Sequence, residues 1–298
     1  MPASLTRPTR WIGAGLTVVC LGFVLWRFVQ LAPRVAALAP WPSLISGMGL
    51  ATLVYSAGGV LLAIAWWLLL RALASPSITA TSAVRGHMRA QLAKYAPGNV
   101  FHLAARHVHA RQQGLDHVPV ATAAVAESIL LVAVAVSLSF AMPATGLPGA
   151  LQWLAPWRWI ILVGFFGLIA IFYWLRLRDR MSALDGTWHA GIGGVLGATA
   201  CYCSFFALAA IAFRFLFEAP ALDALELLPT IAVCWLGGFL VIGSPGGLGV
   251  REALLVGLLG PVCGEAEALY AALAFRGVTI LSDLLLFLVG ILVPDHSR

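Results

Sequence analysis

Glu127, Arg251, Glu252, Arg276 and Asp283 are ionisable side chains inside otherwise apolar runs of the sequence. Charge is costly in hydrocarbon, and groups kept there bind, pair or carry protons. Arg251 and Glu252 directly follow Ser244-Pro-Gly-Gly-Leu-Gly249. Pro245 has no N–H, and Gly246, Gly247 and Gly249 accept unusual backbone angles, so a helix must break here. The helix that restarts offers free N–H donors and a partial positive charge, to which Arg251 adds a full one. Such an end is suited to a phosphate or carboxylate. Glu252 could neutralise Arg251, accept a substrate ammonium, carry a proton, or simply cap the new helix. Glu127 needs a cation partner, for which Arg276, Arg251, Lys94 and Arg106 are the candidates. Arg276 and Asp283 are two helical turns apart and so share one helix face. Pairing inside a bundle explains Asp283 as well as a transport role does.

Other chemistry is sparse. His102, His107, His109 and His117 lack the acids or cysteines of a zinc site and read as interfacial residues. Cys201-Tyr-Cys203 has no further ligand at suitable spacing, so the cysteines are small packing residues. No Ser-His-Asp order, phosphate-binding loop, GxGxxG or HExxH occurs in a loop able to house an active site. No metal, nucleotide or other cofactor is therefore expected. The tryptophans fall mostly near the ends of apolar runs and read as interfacial anchors.

The elements that must position these residues follow from composition. Of 298 residues, 61% are hydrophobic and 10% charged, and the mean hydropathy is +0.95. Soluble domains carry roughly 25% charged residues, so this chain could not cover a water-facing surface. The fold class expected is an all-α polytopic membrane bundle forming one transmembrane domain over residues 1–298. Six runs reach spanning length: 11–31, 47–70, 118–141, 157–175, 189–213 and 268–293. A seventh, 227–259, is broken at the Pro-Gly segment and its second half is short, which predicts a re-entrant pair of half-helices. The first run has a basic start, but Pro40 follows the Ala37-Leu38-Ala39 triplet, so it is expected to stay as an uncleaved anchor.

Lys and Arg cluster between runs two and three and after run four, whereas 142–156 contains neither. The positive-inside rule then puts both termini in the cytoplasm. The net charge of +6 is accounted for by this topology and needs no nucleic acid.

Pro97-Gly98 and Pro245-Gly246 lie half a chain apart. The same offset lays runs one, two and three over runs four, five and six, giving halves of about 11–141 and 157–293. Three spans per half insert the halves with opposite polarity, an inverted repeat of the kind whose substrate sites lie between broken helices. Residues 78–105 become the counterpart of the re-entrant pair. An amphipathic helix on the inner leaflet is the alternative for that basic stretch.

At these residues the chain resembles the transmembrane, flippase-like family of the lysylphosphatidylglycerol synthases. Lys94-Tyr95-Ala96-Pro97-Gly98 with Arg106 is similar to that family's Lys-Tyr-aliphatic-Pro-Gly segment, Ala96 being smaller than usual. Ser244-Pro-Gly-Gly-Leu-Gly-Val-Arg-Glu252 is similar to its second motif, and Glu127 and Arg276 stand where the family tends to carry them. The likeness runs over about residues 10–293, and it implies the translocating half without the synthases' soluble catalytic domain. It implies a bacterial inner-membrane protein that moves a phospholipid, aminoacylated lipid or lipid-linked glycan between leaflets. Arg251 and Arg276 would hold the phosphate; Glu127 and Glu252 would hold a cationic moiety or couple to protons. A membrane-embedded transferase with Glu127 or Glu252 as base is the alternative, as is a non-transporting partner of a lipid-modifying enzyme or glycosyltransferase. A homo-oligomer is also allowed.

Overall fold

A computed structural model describes residues 41–74, 78–95, 101–140, 188–216, 223–241 and 244–293, with isolated positions in 22–33 and 156–167. All the described elements are helices. In chain order they are α1 (Trp41–Leu73), α2 (Ala80–Ala90), a 3-10 turn (Gln91–Tyr95), α3 (Phe101–Gln112), α4 (His117–Phe140) and α5 (Trp188–Arg214). Then come α6 (Ala224–Leu240), a second 3-10 turn (Pro245–Gly247), α7 (Val250–Cys263) and α8 (Glu265–Leu292).

Five helical segments are long and apolar enough to cross a membrane: Ile45–Leu73, His117–Phe140, Gly191–Arg214, Pro245–Cys263 and Glu265–Leu292. They make the chain consistent with a multi-pass membrane protein. Four correspond to expected spans, whereas the first and fourth expected spans lie largely outside the described residues. Pro245–Cys263 differs from expectation. The sequence reading ended it at Leu259, but the helix tolerates Pro261 and stops only at Gly264, where φ is 100°. At 19 residues it reaches spanning length.

Several helices start and stop on local polar signals. Thr79 caps α2, its hydroxyl accepting the Ser82 N–H at 3.3 Å. Asp223 caps α6 while its own N–H donates to Glu226 Oε2 at 3.0 Å. Arg89 closes the far end of α8 by donating to the Gly290 carbonyl at 2.9 Å.

Helix α1 lies along α5, and small residues set the approach. A Cβ on Gly47, early in α1, would stand 2.7 Å from the Phe215 carbonyl oxygen just beyond α5. One on Gly194, early in α5, would stand 3.0 Å from the Leu68 carbonyl oxygen near the end of α1. Start meets end in both cases, so the two helices run antiparallel, and close small-residue contacts hold them as they hold membrane helices in general. Helix α8 crosses α1 where Gly59 admits Leu286 and Ser56 donates to Ser282 Oγ at 2.9 Å. Edge-to-face rings join the bundle: Tyr55 of α1 touches Phe205 of α5 and Phe275 of α8, at centroid distances of 5.8 and 5.6 Å. Large apolar side chains such as Leu53, Val125, Leu196 and Leu288 remain exposed on the outer faces, as they must where hydrocarbon is the solvent.

Candidate functional site

The second break is built by backbone. Gly246, Gly247 and Gly249 take φ of 59°, 74° and 80°, a region that costs other residues strain. The turn closes on itself: the Gly247 N–H donates to the Ser244 carbonyl and the Leu248 N–H to that of Pro245, both at 3.1 Å. Ser244 Oγ donates to the Leu248 carbonyl at 2.8 Å. Glu252 then takes the helix start for itself, Oε2 accepting the Gly249 N–H at 2.7 Å. The carboxylate three residues on thus takes one N–H of the expected anion cradle, and the Arg251 side chain adds the cation at this helix end.

Helix α8 ties both breaks together from one face, as the two-turn spacing requires. Arg276 Nη1 donates to the Gly246 carbonyl at 3.1 Å, and its Nε stands 3.6 Å from Glu252 Oε1. Two turns on, Asp283 accepts Lys94 Nζ at 2.7 Å and the Tyr95 hydroxyl at 2.5 Å. The Tyr95 ring completes the join, since a Cβ on Gly246 would stand 3.1 Å from it and the Arg276 guanidinium lies 5.6 Å from its centroid. Pro97 and Gly98, the core of the first Pro-Gly motif, lie outside the described residues.

Of the four cations open to Glu127, geometry selects Arg106, whose Nη1 stands 2.8 Å from both carboxylate oxygens. Both residues are buried, and Trp66 covers the guanidinium at 4.8 Å. His87 Nε2 approaches Glu127 at 3.9 Å. His102 lies half-buried beside them, and desolvation, with the charges of Arg106 and Lys94, pushes its pKa down to about 3. It is neutral at physiological pH.

These groups surround a cavity of about 110 Å³ between the two broken helix pairs. Lys94, Arg106, Glu127, Asp283, Gly246 and Arg251 all reach its wall. A second cavity of about 30 Å³ adjoins it, lined by Arg251, Glu252 and Arg276. Arg251 borders both. It leans on the Trp235 ring at 5.9 Å and fits between Gly238 and Gly247, where any side chain would collide with it. Its Nε is buried without a hydrogen-bond acceptor, and among the described residues it makes no ion pair. Lys94, Arg106 and Arg276 each have a carboxylate; Arg251 does not. The site therefore carries one positive charge in excess.

Sequence reasoning missed the aromatic part of this site. Trp235 stacks on Phe239 at 5.0 Å and Tyr55 lies opposite, all three facing the cavity. Trp235 sits mid-helix and Trp66 is buried, so the anchor reading fails for both. For Trp235 the mid-run position was the available signal, whereas Trp66 stands near the end of its run and gave none. No group of metal-ligating residues occurs among the described residues. The histidines pair instead, His107 Nε2 with His117 Nδ1 at 2.7 Å and His109 with Ser82.

No protein-family model matches this chain, and comparison with curated proteins gives no match. The likeness drawn from the two Pro-Gly motifs stands on those residues alone.

Proposed function

We propose that this chain is a lipid translocase of the flippase-like kind, holding a phospholipid headgroup between its two broken helix pairs and passing it across the membrane. One observation carries the reading: Arg251, a cation on the cavity wall with no carboxylate of its own. A buried charge without a partner is expensive, and a headgroup phosphate would offset that cost. The exposed apolar faces of the long helices suit a protein whose ligand arrives through the bilayer. The same arrangement speaks against the transferase alternative, because Glu127 is held by Arg106 and Glu252 by Gly249 and Arg276. Both carboxylates are engaged by the protein's own groups, whereas Arg251 is not.

The order of elements supports an inverted repeat. A long helix, a broken pair and a second long helix occur as α1, α2–α3, α4 and again as α5, α6–α7, α8. The antiparallel course of α1 and α5 fits halves of opposite polarity. With the basic stretch between α1 and α4 on the cytoplasmic side, the two breaks approach the cavity from opposite leaflets.

The test is leaflet exchange in reconstituted vesicles, read by dithionite quenching of a fluorescent phospholipid. Vesicles containing the protein should exchange the lipid faster than empty ones, and Arg251→Gln should slow exchange by about tenfold, the equivalent of ~1.4 kcal/mol. Exchange no faster than in empty vesicles would remove the translocase reading.

A further inference from the structure

Taking the translocase reading as given, we infer that the site accepts a headgroup of net negative charge and rejects one bearing an added ammonium, such as an aminoacylated phospholipid. The lipid in that statement rests on the reading above; the sign of the charge rests on the geometry.

Every carboxylate that reaches the cavities is already engaged. Asp283 faces Lys94 at 2.7 Å and accepts the Tyr95 hydroxyl. Glu127 faces Arg106 at 2.8 Å, and Glu252 faces Arg276 at 3.6 Å while accepting the Gly249 N–H. An incoming ammonium would have to displace one of these cations and leave it buried without a partner, which is strongly unfavourable. An incoming anion displaces nothing.

Part of the aromatic surface is taken as well. Aromatic faces attract cations, and the protein's own cations lie over Trp235 and Tyr95. Arg251 lies over Trp235, Phe239 stacks against that ring, and both Lys94 and Arg276 lie 5.6 Å from the Tyr95 centroid. His87 and His102 add no acceptor charge, because burial and the neighbouring Arg106 hold both neutral. The unsatisfied groups, by contrast, are mostly donors. The buried Nε atoms of Arg106, Arg251 and Arg276, and Arg276 Nη2, have no acceptor. Two carboxylate oxygens lack a well-formed hydrogen bond, and each still faces a cation: Glu127 Oε2 stands 2.8 Å from Arg106 Nη1 and Glu252 Oε1 3.6 Å from Arg276 Nε. Four cations against three carboxylates call for one negative charge.

The experiment titrates the full chain in detergent with short-chain lipids, reading binding by native mass spectrometry. The probes are dioctanoyl phosphatidylglycerol, dioctanoyl phosphatidylcholine and dioctanoyl lysylphosphatidylglycerol, with glycerol phosphate as the headgroup lacking chains. Phosphatidylglycerol should bind about tenfold or more tighter than its lysyl ester, since unit charges a few ångströms apart at an effective dielectric near 20 interact by several RT. Arg251→Gln should erase that order. Lys94→Met, which frees Asp283 towards the cavity, should move the preference towards the lysyl ester. This second variant keeps the test decisive if the first fails to fold. A wild-type site that binds the lysyl ester as tightly as phosphatidylglycerol overturns the inference, as does an order unchanged in Arg251→Gln. Glycerol phosphate binding as tightly as the lipid would keep the charge preference and remove the lipid. Anion preference together with failed vesicle exchange would overturn translocation alone.

Discussion

The two helix breaks solve one problem by different means. The first, described over Gln91–Tyr95, follows one short polar helix and precedes another, and side chains fasten its described part, with Lys94 and Tyr95 on Asp283 and Arg106 of the following helix on Glu127. The second, at Pro245–Gly247, joins two apolar helices and is fastened by its own backbone, with glycine geometry and the Glu252 cap doing most of the work. A break between apolar helices has few polar side chains to satisfy its freed backbone groups, so it must close on itself. A break between polar helices can reach outward, and here it reaches α8 and α4. The side-chain break should thus be the more sensitive to loss of charge, and the backbone break to loss of glycine.

The largest effect is expected from Arg106→Met. It leaves Glu127 buried without its cation, a loss of about 3–5 kcal/mol, read as a lower unfolding temperature in detergent. Adding Glu127→Gln should recover a large part of that loss. Arg276→Met at the second break should cost less, because Glu252 keeps the Gly249 N–H. Equal losses at the two breaks would dissolve the distinction.

A smaller loss is expected from Gly246→Ala. A left-handed φ costs a non-glycine residue roughly 1–2 kcal/mol, and the new Cβ also meets the Tyr95 ring at 3.1 Å. Gly114→Ala is the matched control, since φ is 83° there but nothing lies within 4 Å. Gly246→Ala should therefore destabilise more than Gly114→Ala. If the two match, the contact between the breaks contributes nothing.

The smallest effect concerns pH. Burial, then the charges of His117 and Arg111, hold the His107 pKa below the ordinary 6.5. The folded state thus favours the neutral ring, and its stabilisation is present above pH 6.5 and lost as pH falls below that value. Unfolding temperature should fall between about pH 7 and about pH 5, and slightly less steeply in His107→Asn. An identical slope would remove the His107–His117 pair from the account.

The sequence made legible whatever depends on local order. Four spans followed from the length of apolar runs, the second break from Pro245 and its glycines, and the shared face of Arg276 and Asp283 from helical periodicity. Glu252 as a cap was readable because it stands three residues after Gly249. What could not be read depends on which segments meet. Arg106 was one of four cations open to Glu127, and only the packing of α3 on α4 selects it. The contact of Tyr95 with Gly246 joins residues from opposite halves of the chain. Trp235 was misread because an aromatic ring suits an interface and a buried wall equally, and its position decides between them only once α6 has bounds.

The central claim is that both breaks border one cavity that holds an anionic headgroup beside Arg251. Ser128 on α4 and Phe239 on α6 line that cavity from different halves. In a background without native cysteines, Ser128→Cys and Phe239→Cys should each react with a charged thiol reagent and be protected by dioctanoyl phosphatidylglycerol. The protection should vanish in both when Arg251→Gln is added. Protection of only one position, or protection that survives loss of Arg251, would contradict the account.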